Sequence, residues 1–451
     1  MRTILAVLGI ICFSSTLLAA DIPSELTLPE AIKIALAQNL ELQGVKQDKF
    51  IAIAKKEQAE SLRFPKLELD ASYTKLPEPP FMQVPTVELT IPGLGSLSVD
   101  LPKLYLAEED SKRATLTGSM PLYTSGRISN AIKSAELGVN ANTELISAKQ
   151  NDISLQVTQA YLVTVLAQHV EQVNLQALSV IREHLKNAEA LFKAGIVANY
   201  DVLRAKTELA AQEKRLTDAQ NQQNLARSVL FNILNVPLNT ETKLITPFAA
   251  VDSSFSCDTE SQTAVLQSRE LAALRLKSQA QLALSKSAAA ADKPQFFVAG
   301  LLETYTDELS VIDPHEAMVV GMKLNLFDGG ATRAVARELQ ESSRRTLIDA
   351  DRLEKGIRLQ VKQAVFEFES GKKGLAFAQQ AVSSAEESLR LATRRFETGT
   401  GTSVEKLDAI LSLSQAQMQQ EQALYQMNLA YYTVLKLQNK LIPYFQSTEV
   451  K

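Results

Sequence analysis

Leu191-Phe192-Lys193-Ala194-Gly195 and Arg395-Phe396-Glu397-Thr398-Gly399 are one pattern written twice, 204 residues apart. The same offset aligns Gln156-Val157 and Gln159-Ala160 with Gln360-Val361 and Gln363-Ala364. It also aligns Leu203, Ala205 and Asn235 with Leu407, Ala409 and Asn439, and no gap is needed between about 122 and 235. Upstream, Glu41-Leu42 matches Glu270-Leu271 and Pro65 matches Pro294, now 229 residues apart. The first copy therefore carries 25 extra residues between Pro65 and Leu122, and the Pro-rich piece Leu76 to Pro102 is the natural place for them. The chain is a duplicated unit rather than a string of unrelated domains. Its expected division is a leader (1–20), repeat 1 (21–240), a linker (241–257), repeat 2 (258–443) and a tail (444–451).

Each copy reads helix, strand hairpin, long helix, helix. Helical periodicity over 28–63 stops at Pro65. The segments 126–193 and 330–396 are Ala/Gln/Leu-rich and free of proline; the second is 67 residues long. At ~1.5 Å per residue that is roughly 100 Å of helix, far more than a globular core needs. The helices 199–236 and 402–440 carry seven-residue spacing: Val202, Leu209, Leu216 and later Leu230, then Leu411, Met418, Tyr425 and Tyr432. That spacing predicts left-handed supercoiling against neighbours. The opposite faces are neutral and polar, as in Asp218-Ala219-Gln220-Asn221-Gln222-Gln223-Asn224, and suit either a water-filled lumen or a solvated surface.

Between the helices the period changes to two. Leu67, Leu69, Ala71 and Tyr73 alternate with Lys66, Glu68, Asp70 and Ser72. Ala114, Leu116, Gly118, Met120 and Leu122 alternate with Arg113, Thr115, Thr117 and Ser119. In the second copy Met318, Val320, Met322, Leu324 and Leu326 alternate with Val319, Gly321, Lys323 and Asn325. Strands are expected at about 65–75, 112–123, 294–305 and 316–327; the third fits less well because Phe296 and Phe297 are both apolar. Alternation over about ten residues is the length and pattern of a membrane β-strand. Four strands cannot close a barrel, since the smallest bacterial ones have about eight. Three chains sharing one barrel would supply twelve. The inserted piece, about 76–107, reads as a further hairpin, with Val87, Leu89 and Ile91, a Pro92-Gly93-Leu94-Gly95 turn, then Leu97, Val99 and Leu101.

The remaining signals narrow the class. Met1-Arg2, the apolar run Thr3–Leu18 and the small pair Ala19-Ala20 read as a secretory signal peptide. Its removal takes the net charge from −4 to −5. With no long basic run, nucleic acid is not an expected partner. Cys12 lies in the leader, which leaves Cys257 alone and excludes an internal disulfide. His169, His184 and His315 have no metal-ligand spacing, and His169 and His184 read as helix-surface residues. No phosphate loop or catalytic constellation is visible, so no metal, no cofactor and no enzyme activity are expected.

In this order the features resemble the TolC-like outer-membrane factors, the outer membrane efflux proteins, over essentially the whole mature length. The opening Leu26-Thr27-Leu28-Pro29-Glu30-Ala31, the segment Leu36-Ala37-Gln38-Asn39-Leu40, the gapless repeat and the paired turns at Gly195 and Gly399 carry the resemblance. It implies a mainly α fold with a small membrane β part. A homotrimer would share a 12-stranded β-barrel in the lipid of a Gram-negative outer membrane, continued by a coiled-coil tunnel in the periplasm. It implies a periplasmic adaptor (membrane fusion protein) and an inner-membrane pump of RND, ABC or MFS type. The function implied is an exit duct for efflux or type I secretion of small molecules or proteins. The competing reading is a structural or adhesive periplasmic coiled coil without a channel.

The resemblance also assigns sites. The turns 194–201 and 398–405 become periplasmic tips, with adaptor docking at Gly195, Ile196, Val197, Ala198, Gly399, Thr400, Gly401 and Thr402. Glu405 and Asp408, three apart on one helical face, become acidic rings at the narrowest aperture. Asp201, the counterpart of Glu405, becomes a gating contact between tips. The family's gate often uses a tyrosine and an arginine in the second tip; here Phe396 and Gly401 hold those positions, with Arg394 and Arg395 nearby.

Overall fold

The computed structural model describes residues 23–93, 95–99, 102–105, 109–246, 248, 251–306 and 315–448. The expected signal peptide, and residues 94, 100, 101 and 106–108 of the inserted hairpin, lie outside them.

Strand β1 (Glu25–Leu26) leads into helix α1 (Leu28–Gln38) through a reciprocal cap. Thr27 Oγ1 accepts from the Glu30 amide while Glu30 Oε2 accepts from the Thr27 amide, satisfying two end donors at once. The periodic segment 28–63 is not one helix. It breaks at Asn39 and resumes as α2 (Leu40–Ser61). Asn39 is extended (ψ 123), and its Oδ1 accepts from the Leu42 amide, so the side chain starts the second helix. The second copy breaks at the matching residue: Ser268 separates α5 (Cys257–Gln267) from α6 (Arg269–Ala289), and its Oγ accepts from the Leu271 amide.

In chain order after α2 come β2 (Lys66–Lys75), β3 (Phe81–Met82), β4 (Val87–Ile91), β5 (Gly95–Val99), β6 (Leu104–Tyr105) and β7 (Asp110–Tyr123). Then follow α3 (Arg127–Lys193), α4 (Asn199–Leu234) and β8 (Lys243–Leu244), the last before α5. The second copy closes with β9 (Gln295–Thr306), β10 (Glu316–Lys323), α7 (Ala331–Glu397), α8 (Ser403–Leu437) and α9 (Leu441–Thr448). Helices α3 and α7 are 67 residues each. No described helix is long and apolar enough to cross a membrane.

Two segments differ from expectation. The supposed linker 241–257 contributes β8, which pairs in parallel with β1. The supposed tail 444–451 lies largely in α9, where Leu441 and Phe445 are buried with Leu28, Ile32, Tyr161 and Phe231. Tyr161 is fully buried there; its hydroxyl donates to Leu26 O (2.9 Å) and accepts from the Thr246 amide (3.0 Å).

The described residues gather into two compact units that cut across the duplication. One comprises the described residues within 23–47, 144–272 and 351–448; the other comprises those within 48–143 and 273–350. Each draws on both copies: β7 of the first copy pairs with β9 of the second, and α4 packs against α8.

The second unit holds a four-stranded antiparallel sheet in the order β10-β9-β7-β2. The register sets Leu69 beside Leu116, Leu116 beside Leu302, and Met318 beside Gly300. One face therefore carries Leu67, Leu69 and Tyr73, then Leu116 and Met120, then Phe296, Val298 and Leu302, then Met318, Val320 and Met322. Leu67, Leu69, Met318 and Val320 are exposed. The other face carries Lys66, Glu68, Asp70, Thr115, Thr117 and Ser119. Phe297, the residue that broke the alternation, belongs to this second face. Its ring covers Gly321, where an added Cβ would lie 2.6 Å from Cζ. Beyond the sheet, within the inserted piece, β4 and β5 form a hairpin and β3 pairs with β6 on either side of it in the chain.

In the first unit the heptad seam runs through small residues. Ala409, Ala416, Ala423 and Ala430 of α8 are buried, seven apart; Leu411, Met418, Tyr425 and Tyr432 are only half-buried. In α4 the matching positions are Ala205, Gln212 and Ala219, all buried. Gln212 is satisfied by donating to Asn174 O and Oδ1. Small side chains let helices approach closely. Gly371 of α7 takes this furthest: a Cβ there would sit 2.9 Å from Met427 Cα, against backbone that cannot swing away.

Gly371→Ala should therefore lower the melting temperature. Overpacking costs about 1–3 kcal/mol, more than the roughly 1 kcal/mol that alanine gains over glycine in a helix. Gly374→Ala, which meets nothing within 4 Å, should raise it. Equal shifts in calorimetry would show that the contact with Met427 is not tight.

Candidate functional site

The two turns that join long helix to following helix share one geometry. After α3, the Ile196 amide donates to Leu191 O (2.9 Å) and the Gly195 amide to Phe192 O (2.9 Å). After α7, the Thr400 amide donates to Arg395 O (2.9 Å) and the Gly399 amide to Phe396 O (3.1 Å). This paired closure needs a left-handed residue just past the helix, and Gly195 (φ 74) and Gly399 (φ 72) supply it. Gly401 is required for a different reason: a Cβ there would lie 2.8 Å from Arg395 Cβ.

The side chains on the two turns differ sharply. The first exposes large apolar groups: Phe192 is 43% exposed, Ile196 62%, Tyr200 63% and Leu203 56%. Val197 is half-buried, and Ala198 begins α4 without a side-chain cap. The second presents Gly399, Thr400 and Thr402, and Thr402 Oγ1 caps α8 by accepting from the Glu405 amide (3.2 Å). Its phenylalanine turns inward, and Phe396 is only 3% exposed.

Glu405 and Asp408 lie together on the exposed face of the first turns of α8, while Lys406, Leu407 and Ile410 turn inward. Arg395 reaches Glu405 (Nη2 to Oε2, 3.5 Å). Asp201 stands half-buried in the first turn of α4, where acid is favourable near the free amides. Among the described residues, no hydrogen bond or ion pair within the chain joins Asp201 to the second turn.

What the sequence did not disclose is a buried polar cluster behind the second turn. His184 of α3 is fully buried, not a surface residue. Its ring meets the Phe396 ring edge-on at 4.9 Å, and its Nε2 lies 2.8 Å from Ser403 Oγ. Lys406 is 5% exposed and places its ammonium 5.5 Å from the Phe396 ring centre. Burial first, and the Lys406 charge second, lower the His184 pKa to about 4. Burial also lowers that of Lys406, against the opposing pull of Glu397 and Glu183. His184 follows the stripe Ala177, Ile181 and precedes Ala188, all buried. That helical spacing was the signal that marked it as inward-facing. His169, the other helix histidine, is half-buried and pairs with Glu421 (2.6 Å).

A duplicated helix–hairpin–helix chain with a four-stranded sheet and long paired helices has the architecture of outer-membrane channels. The fold is similar to the outer-membrane channel OprN, with 20% identity and a TM-score of 0.73 over 91% of this chain and 90% of that one. It is similar to VceC of Vibrio cholerae (19%, 0.73, 91% and 96%) and to the CmeC channel of Campylobacter jejuni (15%, 0.76, 94% and 89%). The chain belongs to the outer membrane efflux protein family, whose profile matches residues 31–236 and 261–439, one segment in each copy. No curated protein matches it.

Proposed function

We propose that three copies of this chain form an exit duct for small molecules across the outer membrane and periplasm. The sheet carries the proposal. Among the described residues its outer strands, β10 and β2, have no partner on one side, and its apolar face is exposed. In lipid, unpaired backbone groups cost several kcal/mol each, so an open sheet cannot stand there. Three copies joined edge to edge give twelve strands and leave no edge. The apolar face then meets lipid, and the face with Lys66, Glu68 and Asp70 lines water. The structural coiled-coil reading leaves that exposed apolar face without a role.

The helices extend the duct as a periplasmic tunnel. Ile348, Leu359, Phe366 and Phe377 of α7 are exposed in the single chain, and we assign them to contacts with a neighbouring copy. The turns are the periplasmic tips, and the apolar first tip is the main seat of the adaptor, with an inner-membrane pump of RND, ABC or MFS type beyond it. Glu405 and Asp408, repeated three times, form two negative rings that select cations at the aperture. Asp201 is assigned to a bond with the second tip of the adjoining copy.

In planar bilayers the joint variant Glu405→Gln/Asp408→Asn should conduct with cation preference reduced by roughly threefold or more. Unchanged selectivity would remove the rings from the aperture. In cells, a photoreactive residue in place of Ala198 should capture an adaptor. An adaptor that works with a proton-driven pump supports small-molecule efflux; one that works with an ATP-driven exporter points to protein secretion. Correctly inserted protein that captures no adaptor would refute the docking assignment.

A further inference from the structure

The duplication makes the tips a natural comparison. At the offset of 204, Phe192 matches Phe396, Val202 matches Lys406, and Asn199 matches Ser403. The first tip keeps Val202 buried and leaves Phe192 half-open to solvent. The second tip instead buries a phenylalanine between a histidine and a lysine. The apolar support behind it is small, with Ile181 of α3 and Leu407 and Ile410 of α8 as its buried members. The polar cluster is therefore a substantial part of what ties the α7–α8 turn to α3.

The chemistry of the cluster favours one protonation state. Ser403 Oγ suits an Nε2–H donor, which leaves Nδ1 as a bare lone pair; that atom is buried with no hydrogen-bond partner. A second proton would turn Nδ1 into a charged donor with nothing to accept from it. The charges around the cluster come from three elements. Lys406 of α8 opposes a second cation, and so does the positive end of α8 itself, where Ser403 is the first residue. Glu397 at the end of α7 and Glu183 of α3 act on Lys406. Arg395 and Glu405 pair with each other on the outside.

We propose that His184, Phe396, Ser403 and Lys406 form a proton-operated latch, which holds the second tip against α3 near neutral pH and releases it as the periplasm acidifies. The location and the consequence of release rest on the duct reading above; the latch itself rests on the cluster. The sign follows from linkage. The latched histidine binds a proton only near pH 4, whereas a released one binds it near the ordinary 6.5. The latch is thus at full strength above that ordinary value. Below it, each unit of pH shifts the balance toward release by up to ~10-fold, and the effect levels off near pH 4.

Hydrogen exchange read by mass spectrometry on the full-length protein in detergent tests this. Peptides covering 394–406 are compared at pH 7 and pH 5, after correction for intrinsic exchange rates. Protection should fall by roughly tenfold or more in the native chain. His184→Gln keeps a donor for Ser403 but cannot titrate, so its protection should not change with pH. Lys406→Met removes the like charge and should shrink the step, which keeps the test decisive if the glutamine variant is already loose at neutral pH. No step in the native chain, or a step of undiminished size in Lys406→Met, would overturn the latch. Bilayer conductance separates the two readings: a chain with the step but no conductance refutes the duct and leaves the latch, and a conducting chain without the step does the reverse.

Discussion

The backbone of an edge strand must find partners. In water an open edge is tolerable, but in hydrocarbon each unpaired amide or carbonyl is too costly to leave. This chain has a four-stranded sheet with two such edges and an apolar face turned outward. Among the described residues the sheet does not close on itself. The proposal of further copies follows from that constraint. So does the value of duplication, because two hairpins per chain let three chains reach the strand number of a barrel. In the proposed assembly the long helices share that arrangement, which would occupy their exposed apolar residues.

Duplication also frees the two copies to diverge where they meet other molecules. Both tips keep the same glycine closure, at Gly195 and Gly399. Beyond that they part. The first tip holds its large apolar side chains in solvent, a surface suited to a partner. The second draws its phenylalanine inside, beside a neutral histidine and a buried lysine, and shows acid outside at Glu405 and Asp408. In the proposed duct the first tip is the one for attachment and the second the one for movement. The family's tyrosine and arginine are absent from the second tip, and the buried cluster gives this chain a different means of holding it.

Much of this was legible in the sequence. The offset of 204 reveals both turns, whose glycines, Gly195 and Gly399, supply the left-handed residue that each closure needs. The period-two stretches mark the strands because their two faces meet different surroundings. Other features depended on three-dimensional neighbours. Asn39 breaks a periodic segment through its own side-chain bond, without the glycine or proline that usually announces a break. The heptad residues Val202 and Leu230 are buried as their spacing implies, but the alanines of the seam are hard to read because alanine is a weak hydrophobic signal. Phe297 looked like an error of alternation until Gly321 was seen to leave room for its ring. His184 reads as a surface residue because histidine is one on average, although its place in the Ala177–Ile181–Ala188 stripe points inward.

The central claim is that β2 of one copy meets β10 of the next. Within a chain these strands are three inter-strand spacings apart, about 14 Å. A cysteine on each, Leu69→Cys and Val320→Cys in a Cys257→Ser background, can therefore be joined by a bismaleimide shorter than about 10 Å only between copies. On membranes containing the variant, the account predicts a denaturing gel with dimer and trimer bands and nothing larger. Monomers alone, or an open-ended ladder, would contradict it.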